Sequence, residues 1–196
     1  MFKRFGAPAL LLASLSAAPA LAHHPMESMA LVPSPVSGLI SGLAHPLLGP
    51  DHLLFLIALA LVGFQRSMRW TMALLLVGLS ATALGLWLPG LPGAEALVSL
   101  SLVVEGLVIV GRLPALSLIP AFALHGYVLS ASVIGWESTP IAFYLLGLLL
   151  SQGALLTLSL VGLRRFSQGL PLSQKQLLAG VMVGIGAAFT WTALVA

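Results

Sequence analysis

The stretch that decides the fold is His45 to His52, "HPLLGPDH". It lies between "SGLISGLA" and "LLFLIALALVGF", so an apolar run long enough to cross a bilayer is interrupted by two histidines, an aspartate, two prolines and a glycine. On a regular helix, seven residues of separation put His45 and His52 on one face about 10 Å apart along the axis, too far to share an ion. Pro46 and Pro50 have no amide hydrogen to donate and Gly49 loosens the chain between them, so the spacing predicts a break rather than a regular helix. A break would bring the histidines closer and free carbonyl groups near Gly42 and Pro46. Unwound backbone at bilayer depth is tolerated where protein or water supplies partners, and broken helices of this kind build ion sites in transporters. The alternative is a structural kink carrying a hydrogen-bonded His-Asp pair.

Outward from this stretch the chain reads as an integral membrane protein. Its 196 residues are 59% hydrophobic and 7% charged, against a quarter charged in ordinary soluble domains. There is no cysteine, which excludes disulfides, thiolate metal sites and iron–sulfur clusters and leaves nitrogen and oxygen ligands, with methionine thioether as a weak addition. Nothing in the composition supports nucleic-acid binding. The expected fold class is all-α, a six-transmembrane-helix bundle with a broken first helix, following a cleavable signal peptide.

Residues 1–22 have the form of that signal peptide. Lys3 and Arg4 precede the apolar "APALLLASLSAA", too short to span, and Ala20-Leu21-Ala22 is a small-x-small cleavage site. Cleavage would leave six basic and five acidic residues, a mature net charge of about +1. Residues 23–35 would form a periplasmic tail and residues 36–196 the transmembrane domain. Its spans are expected at Val36 to Phe64, Trp70 to Leu88, Ala94 to Val110, Ala115 to Ile134, Pro140 to Leu163 and Leu177 to Ala196.

The six basic residues of the mature chain all fall on the first, third and fifth connections: Arg66 and Arg69, Arg112, then Arg164, Arg165 and Lys175. The intervening "PGLPG" and "GWESTP" contain none, so the odd connections are expected on the cytoplasmic side and both mature termini in the periplasm of a bacterial inner membrane. Gly38 with Gly42 and Gly180 with Gly184 have the spacing of close helix contacts. Trp70, Trp87, Trp136 and Tyr144 fit interfacial belts.

Few ionisable groups lie deep: His45, Asp51 and His52 in the first span, Glu105 in the third and His125 in the fourth. Charge at bilayer depth costs at least about 2.5 kcal/mol, so such groups face a bundle interior and have partners. No deep lysine or arginine is available for Asp51 and Glu105, which must be protonated, hydrated or neutralised by a cation. A divalent ion would cancel both charges, with three imidazoles completing its shell. Taken singly, His125 reads equally as an interhelical hydrogen-bonding residue, and Glu105 as a neutral acid bonded to a neighbouring helix. Glu95 and Glu137 lie near the outer ends and read as solvated. "HHPMES" would place His23 and His24 beside a free amine at the mature terminus, a secondary metal-landing site or a solvated tail.

These residues resemble the HupE/UreJ family of hydrogenase and urease accessory proteins. Its first-span motif, approximately His-Pro-x-x-Gly-x-Asp-His, is matched by His45, Pro46, Gly49, Asp51 and His52. The segment "FALHGYVLSASVIGWESTP" resembles its fourth-span His-Gly region through His125 and Gly126, although "YVLSAS" lacks the further histidine or glutamate of many relatives. Glu105 resembles an acidic position of the third span. The likeness runs from about Ser37 to Leu163; five residues between His45 and Asp51 separate it from the His-x4-Asp-His signature of the nickel and cobalt permeases.

The resemblance implies an inner-membrane permease importing Ni2+, with Co2+ as alternative cargo, for hydrogenase or urease maturation. It implies no prosthetic group and no enzymatic activity, and a metallochaperone or maturation proteins as receivers of the metal. Ligand chemistry alone does not separate nickel from zinc. No Gly-x4-Gly-Lys phosphate loop is present to support ATP drive. Two other functions remain open: a membrane partner that binds metal without transporting it, and an intramembrane metallohydrolase, although His-Glu-x-x-His is absent.

Overall fold

The computed structural model describes residues 32–64, 66–135, 138–166 and 171–195. The signal-peptide expectation, His23, His24, Trp136 and Glu137 lie outside the described residues, as do the side chains of Asp51 and Glu95. Among the described residues every regular element is helical. In chain order they are α1 (Pro35–Leu48), α2 (Pro50–Gly63), α3 (Met68–Trp87), α4 (Ala94–Ile109), α5 (Leu118–Val128), α6 (Ser138–Phe166) and α7 (Leu172–Val195). Single 3-10 turns at Ala115–Ser117 and Ala131–Val133 flank α5.

The break falls at Gly49, between His45 and His52, and α1 meets α2 at 71°. Pro46 has no N–H for the carbonyl of Gly42, and Ser151 Oγ of α6 donates to that carbonyl instead, at 3.2 Å. α1 begins cleanly: Ser34 Oγ accepts from the Ser37 amide at 3.0 Å and Ser37 Oγ from the Ser34 amide at 2.9 Å, with Pro35 in the first turn.

α3, α6 and α7 are long and apolar enough to cross a membrane, and the bent α1–α2 pair makes a fourth span if taken as one unit. α4 and α5, with 16 and 11 residues, are about 24 Å and 17 Å long, shorter than the roughly 30 Å hydrocarbon core. Length therefore supports three or four crossings, where composition led us to expect six.

The elements nevertheless run alternately between two ends of the bundle. A cavity of about 250 Å³ at one end is lined by Phe64 and Arg66, by Gly111, Leu113 and Pro114, and by Lys175, which gathers the first, third and fifth connections. Arg164 adds to this end by donating to the carbonyls of Gly63 and Arg66. At the opposite end, Pro89, Gly90, Leu91 and Gly93 line another cavity with Ser130 and Ala193. Tyr127 ties that end together, its hydroxyl donating to Leu88 O and accepting from the Leu91 amide at 3.2 Å.

Close packing explains the glycines. A Cβ on Gly42 would lie 2.1 Å from the carbonyl oxygen of Tyr144, and one on Gly38 2.2 Å from that of Pro140, so the expected α1 contact stripe does seat against α6. The second stripe does not: nothing lies within 4 Å of a Cβ on Gly180 or Gly184. α7 instead approaches α4 through Gly186, where a Cβ would lie 2.9 Å from Ser99 O. Spacing four occurs on both faces of a helix, and only the rotation of α7 selects one. Gly180→Ala and Gly184→Ala are therefore expected to leave thermal stability unchanged or raise it by up to about 1 kcal/mol through helix propensity, whereas Gly186→Ala lowers it; unfolding in detergent followed by circular dichroism measures all three.

Candidate metal site

The break aims the two motif histidines at one another. α1 ends in the turn that carries His45 and α2 begins in the turn that carries His52, and the bend brings their rings to 5.3 Å between centroids. Both are buried. From α5, His125 reaches the same place: its Nε2 lies 2.6 Å from His52 Nδ1. Phe55, one turn after His52, stacks on the His125 ring at 4.2 Å and 16° and so fixes its plane. A Cβ on Gly126 would sit 2.0 Å from Gly78 O, so the glycine after His125 is what lets α5 lie against α3.

Two hydroxyls complete the cluster. Ser101 of α4 donates to Val98 O at 2.5 Å and lies 3.1 Å from His125 Nδ1. Tyr144 of α6 donates to Leu129 O at 2.6 Å and lies 3.1 Å from His45 Nδ1. The Leu129 carbonyl is available because the chain tightens after α5: the amides of Leu129 and Ser130 turn back to Gly126 and Tyr127, and Val133 N bonds to Ser130 O. Tyr144 was expected at the interface; it is instead fully buried. Trp87, by contrast, is 85% exposed, as a belt residue would be. A small cavity of about 10 Å³, room for about one water, lies between His52, His125, Phe122 and Gln152.

Glu105 follows Ser101 by one helical turn on α4, about 6 Å further along the axis, and is fully buried. Neither carboxyl oxygen has a hydrogen-bond partner among the described residues. Ser41, one turn before His45 on α1, is likewise buried with its hydroxyl unpartnered among the described residues. Val108 and Ile109, one turn beyond Glu105, line the cavity at the Arg66 and Lys175 end. Along the bundle axis the order is thus the histidine cluster, Glu105, then that cavity.

Of the predicted ligands, His45, His52 and His125 converge, and Glu105 stands one turn away from the Ser101 contact. Asp51 is in the first turn of α2. Among the described residues no three carboxylates or imidazoles form a ready-made ion shell; the described arrangement is a hydrogen-bonded histidine cluster with an orphaned acid nearby. Ser101 and Tyr144 were not among the sequence candidates. Nothing in a lone serine or tyrosine on an apolar helix marks it as a histidine partner.

An all-helical protein with three long apolar helices and a buried histidine cluster at a broken helix is a membrane protein with an interior polar site. The chain belongs to the HupE/UreJ family: the family model described as HupE / UreJ protein matches residues 10–189. No curated protein and no solved structure matches it.

Proposed function

We propose that the protein is a secondary permease importing Ni2+, with Co2+ as alternative cargo, across a bacterial inner membrane for hydrogenase or urease maturation. One observation carries this reading: a helix broken by Pro46, Gly49 and Pro50 brings His45, His52 and His125 together at its break. His45, Asp51, His52, His125 and Glu105 line the path, with His23 and His24 as a secondary landing site. Neutral imidazole and carboxylate are ligands suited to a borderline divalent ion; nickel itself rests on family membership.

The bundle crosses the bilayer six times in this reading, the short α4 and α5 being extended by their flanking turns. The alternation of connections between two ends supports that count. The Arg66, Arg112, Arg164 and Lys175 end then faces the cytoplasm and both mature termini the periplasm, with residues 1–22 removed as a signal peptide. A cation would pass from the histidines to Glu105, whose buried oxygens have no hydrogen-bond partner among the described residues, and leave through the cytoplasmic cavity. Inward movement of a divalent ion gains about 4.6 kcal/mol per 100 mV, so the membrane potential is a sufficient drive. No catalysis and no prosthetic group is part of this reading.

The test is 63Ni2+ uptake into proteoliposomes with an imposed inside-negative potential. Potential-dependent accumulation above protein-free liposomes is expected. Nickel binding without flux, by correctly inserted protein, would replace the permease with a membrane metal-binding accessory protein.

A further inference from the structure

We propose that the cavity at the end read as cytoplasmic is a binding site for one anionic phospholipid, its phosphate held by Arg66 and Lys175 and the start of its acyl chain laid on the apolar wall beside them. The proposal rests on the permease reading for the side of the membrane this end faces, and it gives that reading's exit a lipid ligand.

The charge of the site is one-sided. The cavity, about 250 Å³, takes Arg66 from the turn after α2 and Lys175 from the first turn of α7, and the described residues that line it include no carboxylate. The chain has five acidic residues, Glu27, Asp51, Glu95, Glu105 and Glu137, and none lies on the first, third or fifth connection. Glu105, one helical turn before the lining residues Val108 and Ile109, is fully buried. Two like charges beside one cavity repel, and an anion between them replaces that repulsion with attraction. Arg66 is built into its place. Arg164 donates to the carbonyls of Gly63 and Arg66, which fixes the turn, and the Arg66 guanidinium lies 5.6 Å from the centroid of the Trp70 ring. A guanidinium held by its face keeps its in-plane N–H groups for a phosphate, which can accept two of them at once.

The wall decides between a soluble anion and a lipid. Leu61 and Val62 of α2, Val108 and Ile109 of α4 and Leu178 of α7 line the same cavity. Inorganic phosphate gains nothing from that surface, whereas each methylene of an acyl chain buried there adds to affinity. Apolar surface continues past the rim, since Leu116 and Leu177, each next to a lining residue, are 67% and 68% exposed. The volume falls short of the roughly 300 Å³ at which drug-sized pockets begin, so it takes a headgroup and the start of one chain, the rest of the lipid lying in the bilayer. Basic pockets between transmembrane helices on the cytoplasmic side are the general form of such sites. A divalent cation leaving past Arg66 and Lys175 meets two positive charges, and a bound phosphate removes that opposition.

The test is native mass spectrometry of the full chain, released from detergent after incubation with phosphatidylglycerol or with phosphatidylcholine of the same acyl chains. The wild type is expected to retain one phosphatidylglycerol in preference to phosphatidylcholine. Arg66→Gln and Lys175→Gln are each expected to weaken that retention about fivefold, the worth of one basic residue at an anionic membrane surface. Arg165→Gln, at the same end but outside the cavity lining, is expected to leave it unchanged. Should Arg66→Gln fail to fold without its Trp70 contact, the partly exposed Lys175 decides alone. No preference for phosphatidylglycerol overturns the proposal. So does an Arg165→Gln variant that loses as much as Lys175→Gln, which is diffuse attraction to a basic surface. Displacement of the lipid by inorganic phosphate at equal concentration also overturns it, because the cavity is then a site for soluble anions. The readout uses no nickel, so the two readings fail separately: lipid retention without flux keeps this site and removes the permease, and flux without lipid preference does the reverse.

Discussion

His52→Ala is expected to bring 63Ni2+ uptake in proteoliposomes down to the level of protein-free vesicles, with the amount of inserted protein unchanged. His52 is the residue through which the site is assembled: it follows the break on α2, its ring is 5.3 Å from that of His45 and its Nδ1 2.6 Å from His125. Removing it takes away a proposed ligand and the contact between His52 and His125. The loss of packing is borne by a bundle whose apolar core, centred on Phe55, Leu59, Leu75, Leu102 and Phe122, is otherwise intact. His52→Gln retains more of the volume and can still hydrogen-bond to His125, but lacks an imidazole lone pair. It is expected to match the wild type in thermal stability and the alanine variant in flux. Wild-type uptake by either variant would remove His52 from the path and with it the site proposed at the break.

The second large effect is structural. Gly126→Ala is expected to lower stability by about 3 kcal/mol, at the upper end for an overpacked contact, because its Cβ would meet a backbone oxygen that no side-chain rotation can move. That oxygen, Gly78 O, lies 2.0 Å from the Cβ position, with the Gly78 carbonyl carbon at 2.5 Å. α5 must then retreat from α3. The Thr82 hydroxyl, which donates to Gly126 O at 2.7 Å, loses its geometry, and His125 moves away from His52 with the helix that carries it. Thermal unfolding in detergent measures the stability. Nickel binding by the folded fraction is expected to weaken as well, and an unchanged melting temperature would show that the helices are not held this closely.

The contrast between these glycines bears on what a sequence can reveal. Gly126, Gly42 and Gly38 sit at backbone-to-backbone contacts, while Gly180 and Gly184, with the same four-residue spacing as the last two, face open space. The spacing is a local property of one helix, but a contact needs a neighbour on the same side. Tyr144 makes the same point. A tyrosine near the start of an apolar segment is ordinarily a belt residue; here the rotation of α6 and the release of the Leu129 carbonyl by the 3-10 turn after α5 draw it inward to His45.

The sequence by itself determined the helical class, the ends of the first three apolar segments to within a residue or two, the break in the first of them and the grouping of basic residues on alternate connections. Each follows from chemistry confined to a short stretch: the missing amide hydrogens of Pro46 and Pro50, the length of an apolar run, the placement of arginine and lysine. It also marked the histidines, because an ionisable group in an apolar segment is costly wherever the segment lies. Only the tertiary structure decided that His45 and His52 come within ring contact, that His125 reaches His52 with Ser101 on its other nitrogen, and that α4 and α5 are short. Those features depend on how the described helices rotate and tilt against one another. That arrangement is set by packing summed over the whole bundle, and no single stretch of the chain encodes it.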